Sequence, residues 1–180
     1  MSRWMVIFCF LVSSCGQKIV SYTNPKANYS SFETYRMVSV KADNSNLGKE
    51  SILVYDLIKE NIESEMTRRN YEKSTVSPNL TLRYELTSST RVQTNTNQSL
   101  LYPGFTVNNR TIHEAVLLLE MFDQNKRLVW QGSYDLNQER KEKKIKKVID
   151  NATGKIFTTY PYKAGERNPD PSLTEFKRSK

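Results

Sequence analysis

Asn79-Leu80-Thr81-Leu82-Arg83-Tyr84-Glu85-Leu86-Thr87 alternates polar and apolar residues without a break. A strand turns successive side chains to opposite faces, so Leu80, Leu82, Tyr84 and Leu86 share one side, and Thr81, Arg83, Glu85 and Thr87 the other. One side is core and the other is wet, as in an antiparallel sheet covered on a single face. The covering layer must then be amphipathic as well.

The flanking sequence supplies such a layer. Upstream, Val54, Ile58, Ile62 and Met66 recur every four residues, and Leu47 and Tyr55 widen the stripe, which predicts a helix over Leu47–Arg69. Arg68 and Arg69 sit in its last turn, where cations favour the dipole, and Asn70 can take the left-handed cap. Before it, Phe32–Lys41 reads as a strand, followed by the turn residues Asp43-Asn44-Ser45-Asn46. Downstream, Ser88–Gln98 is rich in Thr, Asn and Gln and reads as a strand fraying into a loop that runs to about Asn109.

Thr111–Phe122 is apolar on both faces from Ala115 to Leu119, which predicts a central strand. Asp123-Gln124-Asn125-Lys126 makes a hairpin turn into Arg127–Leu136, with Leu128, Trp130 and Tyr134 on one face. Ile145, Val148, Ile149, Ala152 and Ile156 form a second stripe, predicting a helix over Gln138–Tyr160 that Pro161 stops. The expected fold is α+β: a two-layer sandwich in the order β-α-β-β-β-α. It has a mostly antiparallel sheet of about four strands and two helices on one face.

The chain opens with Arg3, an apolar run from Trp4 to Val12 and the small residues Ser13 and Ser14 before Cys15. A basic residue, a hydrophobic run too short to span a bilayer and a small-residue cleavage site describe a secretory signal. Leu11-Val12-Ser13-Ser14-Cys15 resembles the lipobox of bacterial lipoproteins. That resemblance implies cleavage before Cys15 and diacylglycerol on its thiol. The expected organisation is a signal peptide at 1–14, lipidated cysteine and tether at 15–28, the domain at 29–162 and a disordered tail at 163–180. Cys9 and Cys15 are the only cysteines, so once the signal is cut and the lipid added no disulfide can form. About 165 residues then fold on their hydrophobic core alone.

The net charge is +8. For an exported protein the counter-charge is an anionic head group or an acidic partner rather than nucleic acid. Catalysis finds little support. His113 is the one histidine, no Gly-x-Ser-x-Gly elbow occurs, and the six glycines are scattered. Glu114, Glu120 and Asp123 share a strand region but do not pair by spacing, and neither a metal-ligand set nor a cofactor motif is present.

Two surfaces could bind. Leu100, Leu101, Tyr102 and Phe105 stand among polar neighbours, either as a docking patch or as a cap on an open core edge. Lys143, Lys144 and Lys147 belong to a lysine-rich helix face that either contacts an anionic surface or is simply solvated; Glu139 and Glu142 lie among them.

The lipobox, the strand around Thr34-Tyr35, Arg69-Asn70-Tyr71, Ser77-Pro78-Asn79-Leu80, Leu128-Val129-Trp130-Gln131-Gly132 and Tyr160-Pro161 come in an order that resembles the Domain of Unknown Function 4136 family. Asn70 stands where that family favours glycine. The resemblance spans about Tyr29–Pro161 and implies an envelope lipoprotein with an α+β domain, without assigned catalytic residues. The expected function is therefore non-catalytic: a membrane-anchored lipoprotein that binds a partner protein or envelope component, with Gly16 after the cysteine favouring the periplasmic face of the outer membrane. The alternatives are a carrier of a small hydrophobic ligand and, third, a hydrolase.

Overall fold

The structure is a computed structural model that describes residues 19–40, 49–98, 105–139 and 144–176; residues 88–98 and 105–114 are described by backbone and register. Six strands form one mixed sheet. They are β1 (Val20–Thr23), β2 (Thr34–Ser39), β3 (Glu72–Lys73), β4 (Leu80–Gln98), β5 (Phe105–Asp123) and β6 (Leu128–Asp135), in the order β1-β6-β5-β4-β2-β3. Two helices, α1 (Lys49–Arg68) and α2 (Ile145–Phe157), cover it.

Register puts the inward residues in rows. Leu82 lies beside Met37 and Met121, and Met121 beside Trp130. Ile58, Ile62 and Met66 of α1 and Ile149, Ala152 and Ile156 of α2 have no accessible surface and share one cluster with Leu80, Leu82, Leu119 and Trp130. The alternation read at 79–87 is thus the floor of the core, and β5 is central as expected. Ile156 packs on Gly132, where an added Cβ would stand 2.5 Å from its methyl, so glycine is required for close helix–sheet approach. Asn70 takes the left-handed cap at φ 62° and Lys126 turns the hairpin at φ 60°.

Several expectations are corrected. The sheet has six strands rather than about four, and β2 runs parallel to both β3 and β4. α1 crosses over between β2 and β4, which returns the chain in the same direction. β1 lies within the expected tether, pairing Val20 with Ser133 and Thr23 with Trp130, so the domain begins near residue 19 and not 29. β4 and β5 continue through the expected loop, pairing Ser88 with Ala115 and Gln98 with Phe105.

The second helix starts at Ile145, not Gln138, because Leu136–Glu139 form a 3-10 turn. The Glu139 carboxylate accepts from Asn151 and Lys155. On one continuous helix the latter would lie about 24 Å away. The tail is corrected as well. Leu173 is buried and the Phe176 ring covers Gly154, while Ala164 N–H donates to Arg69 O at 2.9 Å and Gly165 N–H to Phe32 O at 3.0 Å. Composition hid this because a few seated residues suffice to order a short segment.

Candidate functional site

The sheet has two distinguishable ends. β5 delivers its C-terminal residues to the turn at Asp123–Lys126, and β2 and β3 start beside that turn's end of β4. At this turn end an open cleft of about 380 Å³ is lined by Asn24, Lys26, Phe32, Asn79, Asp123 and Arg127, with Asn125 on its rim.

Each wall of the cleft is set by local hydrogen bonds. Asn79 Oδ1 accepts from the Glu33 and Thr34 N–H groups, both at 3.1 Å, and from Thr34 Oγ1 at 3.0 Å, tying β2 to the entry of β4. Asn24 Nδ2 donates to Leu128 O at 3.1 Å, and its Oδ1 accepts from Lys26 N–H at 2.9 Å. Asp123 accepts from Arg127 N–H at 2.9 Å and Nε at 2.8 Å. Burial pushes the Asp123 carboxyl up, but the Arg127 N–H and guanidinium outweigh it, and the group sits below the usual carboxylate range.

Behind the cleft lies an aromatic knot. Tyr29 stacks on Tyr162 with centroids 3.6 Å apart, and its hydroxyl donates to Asn24 O at 3.0 Å and Val129 O at 3.2 Å. Tyr71 and Tyr160 share a hydroxyl hydrogen bond of 2.8 Å. Burial pushes the Tyr71 phenol up to about 12. Arg69, fully buried, donates to Tyr160 O at 2.9 Å, Phe157 O at 2.7 Å and Glu65 O at 3.0 Å, and pairs with the Glu65 carboxylate. It closes the orphan carbonyls at the C-terminus of α2.

A second polar group is buried near the other end. Lys155 pairs with Glu139 and donates to Tyr134 Oη at 3.0 Å, while Tyr134 Oη donates to Glu139 at 2.8 Å. Burial pushes the Glu139 carboxyl up, yet donors from Lys155, Tyr134 and Asn151 more than offset it and leave the carboxyl lowered. Every charge here has a partner, which suits a structural pair.

Among the described residues, none of the expected site residues lines the cleft. Cys15, Leu100, Leu101, Tyr102 and Lys143 lie outside the described residues. Phe105 opens β5, where its backbone pairs with Gln98. Lys144 and Lys147 are exposed at the start of α2. His113 pairs with Thr90 by register. Among the described residues no group of His, Cys, Asp or Glu is placed to hold a metal, and no helix is long and apolar enough to cross a membrane. Sequence reading missed the cleft because three separated segments build it. Its local signals were the Asp123–Arg127 hairpin pairing and the asparagines at 24 and 79.

Comparison with known proteins gives the fold distant likenesses. A DUF4136 family protein from Bacteroides thetaiotaomicron aligns at 12% identity over 83% of this chain and 98% of that one, with a TM-score of 0.46. A PDZ domain protein from Parabacteroides distasonis aligns at 11% identity and a TM-score of 0.44, covering 66% of this chain. The chain spans only 30% of that protein. A minor lipoprotein from Acinetobacter baumannii aligns at 11% identity over 66% of this chain and 84% of that one, with a TM-score of 0.29. No curated protein matches the chain. The family model for DUF4136, a domain of unknown function, matches residues 19–162, and the chain belongs to that family.

Proposed function

We propose that the protein is a non-catalytic envelope lipoprotein, anchored through Cys15, whose turn-end cleft binds a polar segment of an envelope partner. The carrying observation is the cleft's position and chemistry. Its walls are the amides of Asn24 and Asn79, the Asp123–Arg127 pair, Lys26 and Phe32, at the sheet end remote from where the chain enters β1. Such groups recognise backbone amides and hydroxyls, and the cleft is open enough to receive an extended chain.

The carrier reading calls for an apolar cavity between sheet and helices. There Ile58, Ile62, Leu82, Trp130 and Ile156 are packed to zero exposure, which favours an interaction module. The lipobox and Gly16 favour the periplasmic face of the outer membrane.

Photocrosslinking amino acids placed at Lys26 and Asn125, with the exposed Lys59 of α1 as control, test the cleft in the native envelope. Discrete adducts from the first two positions and not the third are expected. Equal adducts from all three, or none from the cleft, would contradict the proposal.

A further inference from the structure

At the end of the sheet opposite the turn, four independent features converge. β1 enters there, because it runs antiparallel to β6 from Ser133 toward Trp130. Cys15 is five residues before Val20, so the anchor reaches at most about 17 Å beyond the start of β1. α2 begins there too, since its far end packs on Gly132 and bonds Trp130 through Thr159. Its first turn carries Lys144, Lys146 and Lys147, all exposed.

Exposed apolar side chains crowd the same end. Val40 follows β2 where its N–H meets Tyr84 O, and Ile52 and Leu53 precede Tyr55, whose ring lies 6.1 Å from that of Tyr84. With Ile145 they are 40–55% exposed. Finally, β4 and β5 run on past the pairing of β5 with β6 at Val116 and of β4 with β2 at Tyr84. From Ser88 to Gln98 this two-stranded ribbon extends about 35 Å farther, at about 3.4 Å per residue. Its length exceeds the reach of the anchor, so the ribbon can touch the surface that holds Cys15.

We infer that this entry end is a membrane-docking face and that its occupant is an anionic lipid surface. The inference rests on the lipid anchor at Cys15. Charge complementarity selects the occupant: Lys146 and Lys147 stand exposed in the first turn of α2, and the Glu139 carboxylate is spent on Lys155. Of the acids of α1, Glu50 shares the first turn with Ile52 and Leu53, and the exposed Asp56 and Glu60 lie one to two turns farther from that end. Basic groups beside exposed aliphatics are the chemistry of interfacial binding, in which head groups meet the ammonium ions and acyl-chain boundaries meet the apolar residues. An acidic protein would satisfy the lysines but gives no reason for the anchor to emerge beside them.

The mature protein, purified with its lipid and reconstituted in vesicles of equal parts phosphatidylglycerol and phosphatidylcholine, provides the test. Single labels at Ile145→Cys and Gln124→Cys report contact with quencher-bearing lipids. Quenching should be several-fold stronger at 145 than at 124. Lys144, Lys146 and Lys147 changed to glutamate together should remove most of that difference, while the lipid still holds the protein on the vesicle. Equal quenching at both positions, stronger quenching at 124, or an unchanged triple variant would overturn the inference. A mass spectrum of the purified protein tests the anchor separately. Absence of diacylglycerol on Cys15 would refute the lipoprotein reading, whereas a lipidated protein with unquenched labels would refute the docking face alone.

Discussion

The turn end and the entry end of the sheet are built by opposite means. At the turn end Arg69, Tyr29, Tyr71, Tyr160 and Trp130 are buried, and hydrogen bonds join the chain after α1 to the close of α2 and the 3-10 turn at Tyr29–Ser31 to β6. At the entry end α1 and α2 carry exposed Ile52, Leu53 and Ile145 and exposed lysines, and the sheet continues as a ribbon beyond the reach of β2 and β6. Packing specifies the first end; charge and exposed apolar surface mark the second. Stability and contact are thereby separated, so changes to buried groups, the Glu139–Lys155 pair included, should unfold the protein, and changes to the exposed lysines of the entry end should only relocate it.

The largest effect should come from Arg69→Ala. It strands the carbonyls of Glu65, Phe157 and Tyr160 while Glu65 keeps its pair with Arg68, and unmet buried acceptors at about 1–3 kcal/mol each make a loss of roughly 3–5 kcal/mol. Chemical denaturation would read this. Arg69→Lys should recover only part of the loss, since one ammonium cannot reproduce the guanidinium fork.

Glu139→Gln comes next, at about 2–3 kcal/mol, because Lys155 loses its charged acceptor. The folded carboxyl is lowered, so its contribution is present above the ordinary carboxylate range and lost as pH falls through the folded value. In Glu139→Gln the acid limb of the stability–pH curve should flatten. An unaltered limb would remove this pair from the account.

The tail supplies a smaller effect. Lys163 holds the Asp170 carboxyl down to about 2, and Phe176 covers Gly154. Phe176→Ala should cost about 1–2 kcal/mol, part of what a fully buried phenylalanine loses. The half-buried Lys163–Asp170 latch is complete above about pH 4 and should open as pH falls toward 2, where limited proteolysis would begin to cut after residue 163. Smallest of all, Lys146→Ala and Lys147→Ala should each change stability by less than about half a kcal/mol.

The same division explains what could be read in advance. Periodic burial wrote the turn-end body into the sequence. Leu80-Thr81-Leu82 alternates, Ile58-Ile62-Met66 repeats, and Asn70 occupies its left-handed position. Apolar periodicity could not find Ser88–Gln98, because a strand of Thr, Asn and Gln carries no such pattern. β1 escaped for a related reason: it is a short edge strand with Val20 and Tyr22 exposed. Glu139 with Lys155, and Asn24 with Leu128, are contacts between residues distant in sequence, which local spacing does not encode. The lysine cluster was visible as composition; its position beside the entry of β1 was not.

Hydrogen exchange of the lipidated protein, compared with and without anionic vesicles, addresses the two-ended account most directly. Amides of Tyr35, Leu82, Met66 and Trp130 should exchange only through global unfolding and at the same rate in both states. Amides at the start of α2 and in β4 and β5 beyond Thr87 and Val116 should exchange by local opening in detergent and become protected on the vesicles. Protection gained at the turn end instead, or an unchanged entry end on vesicles that hold the protein, would contradict the account.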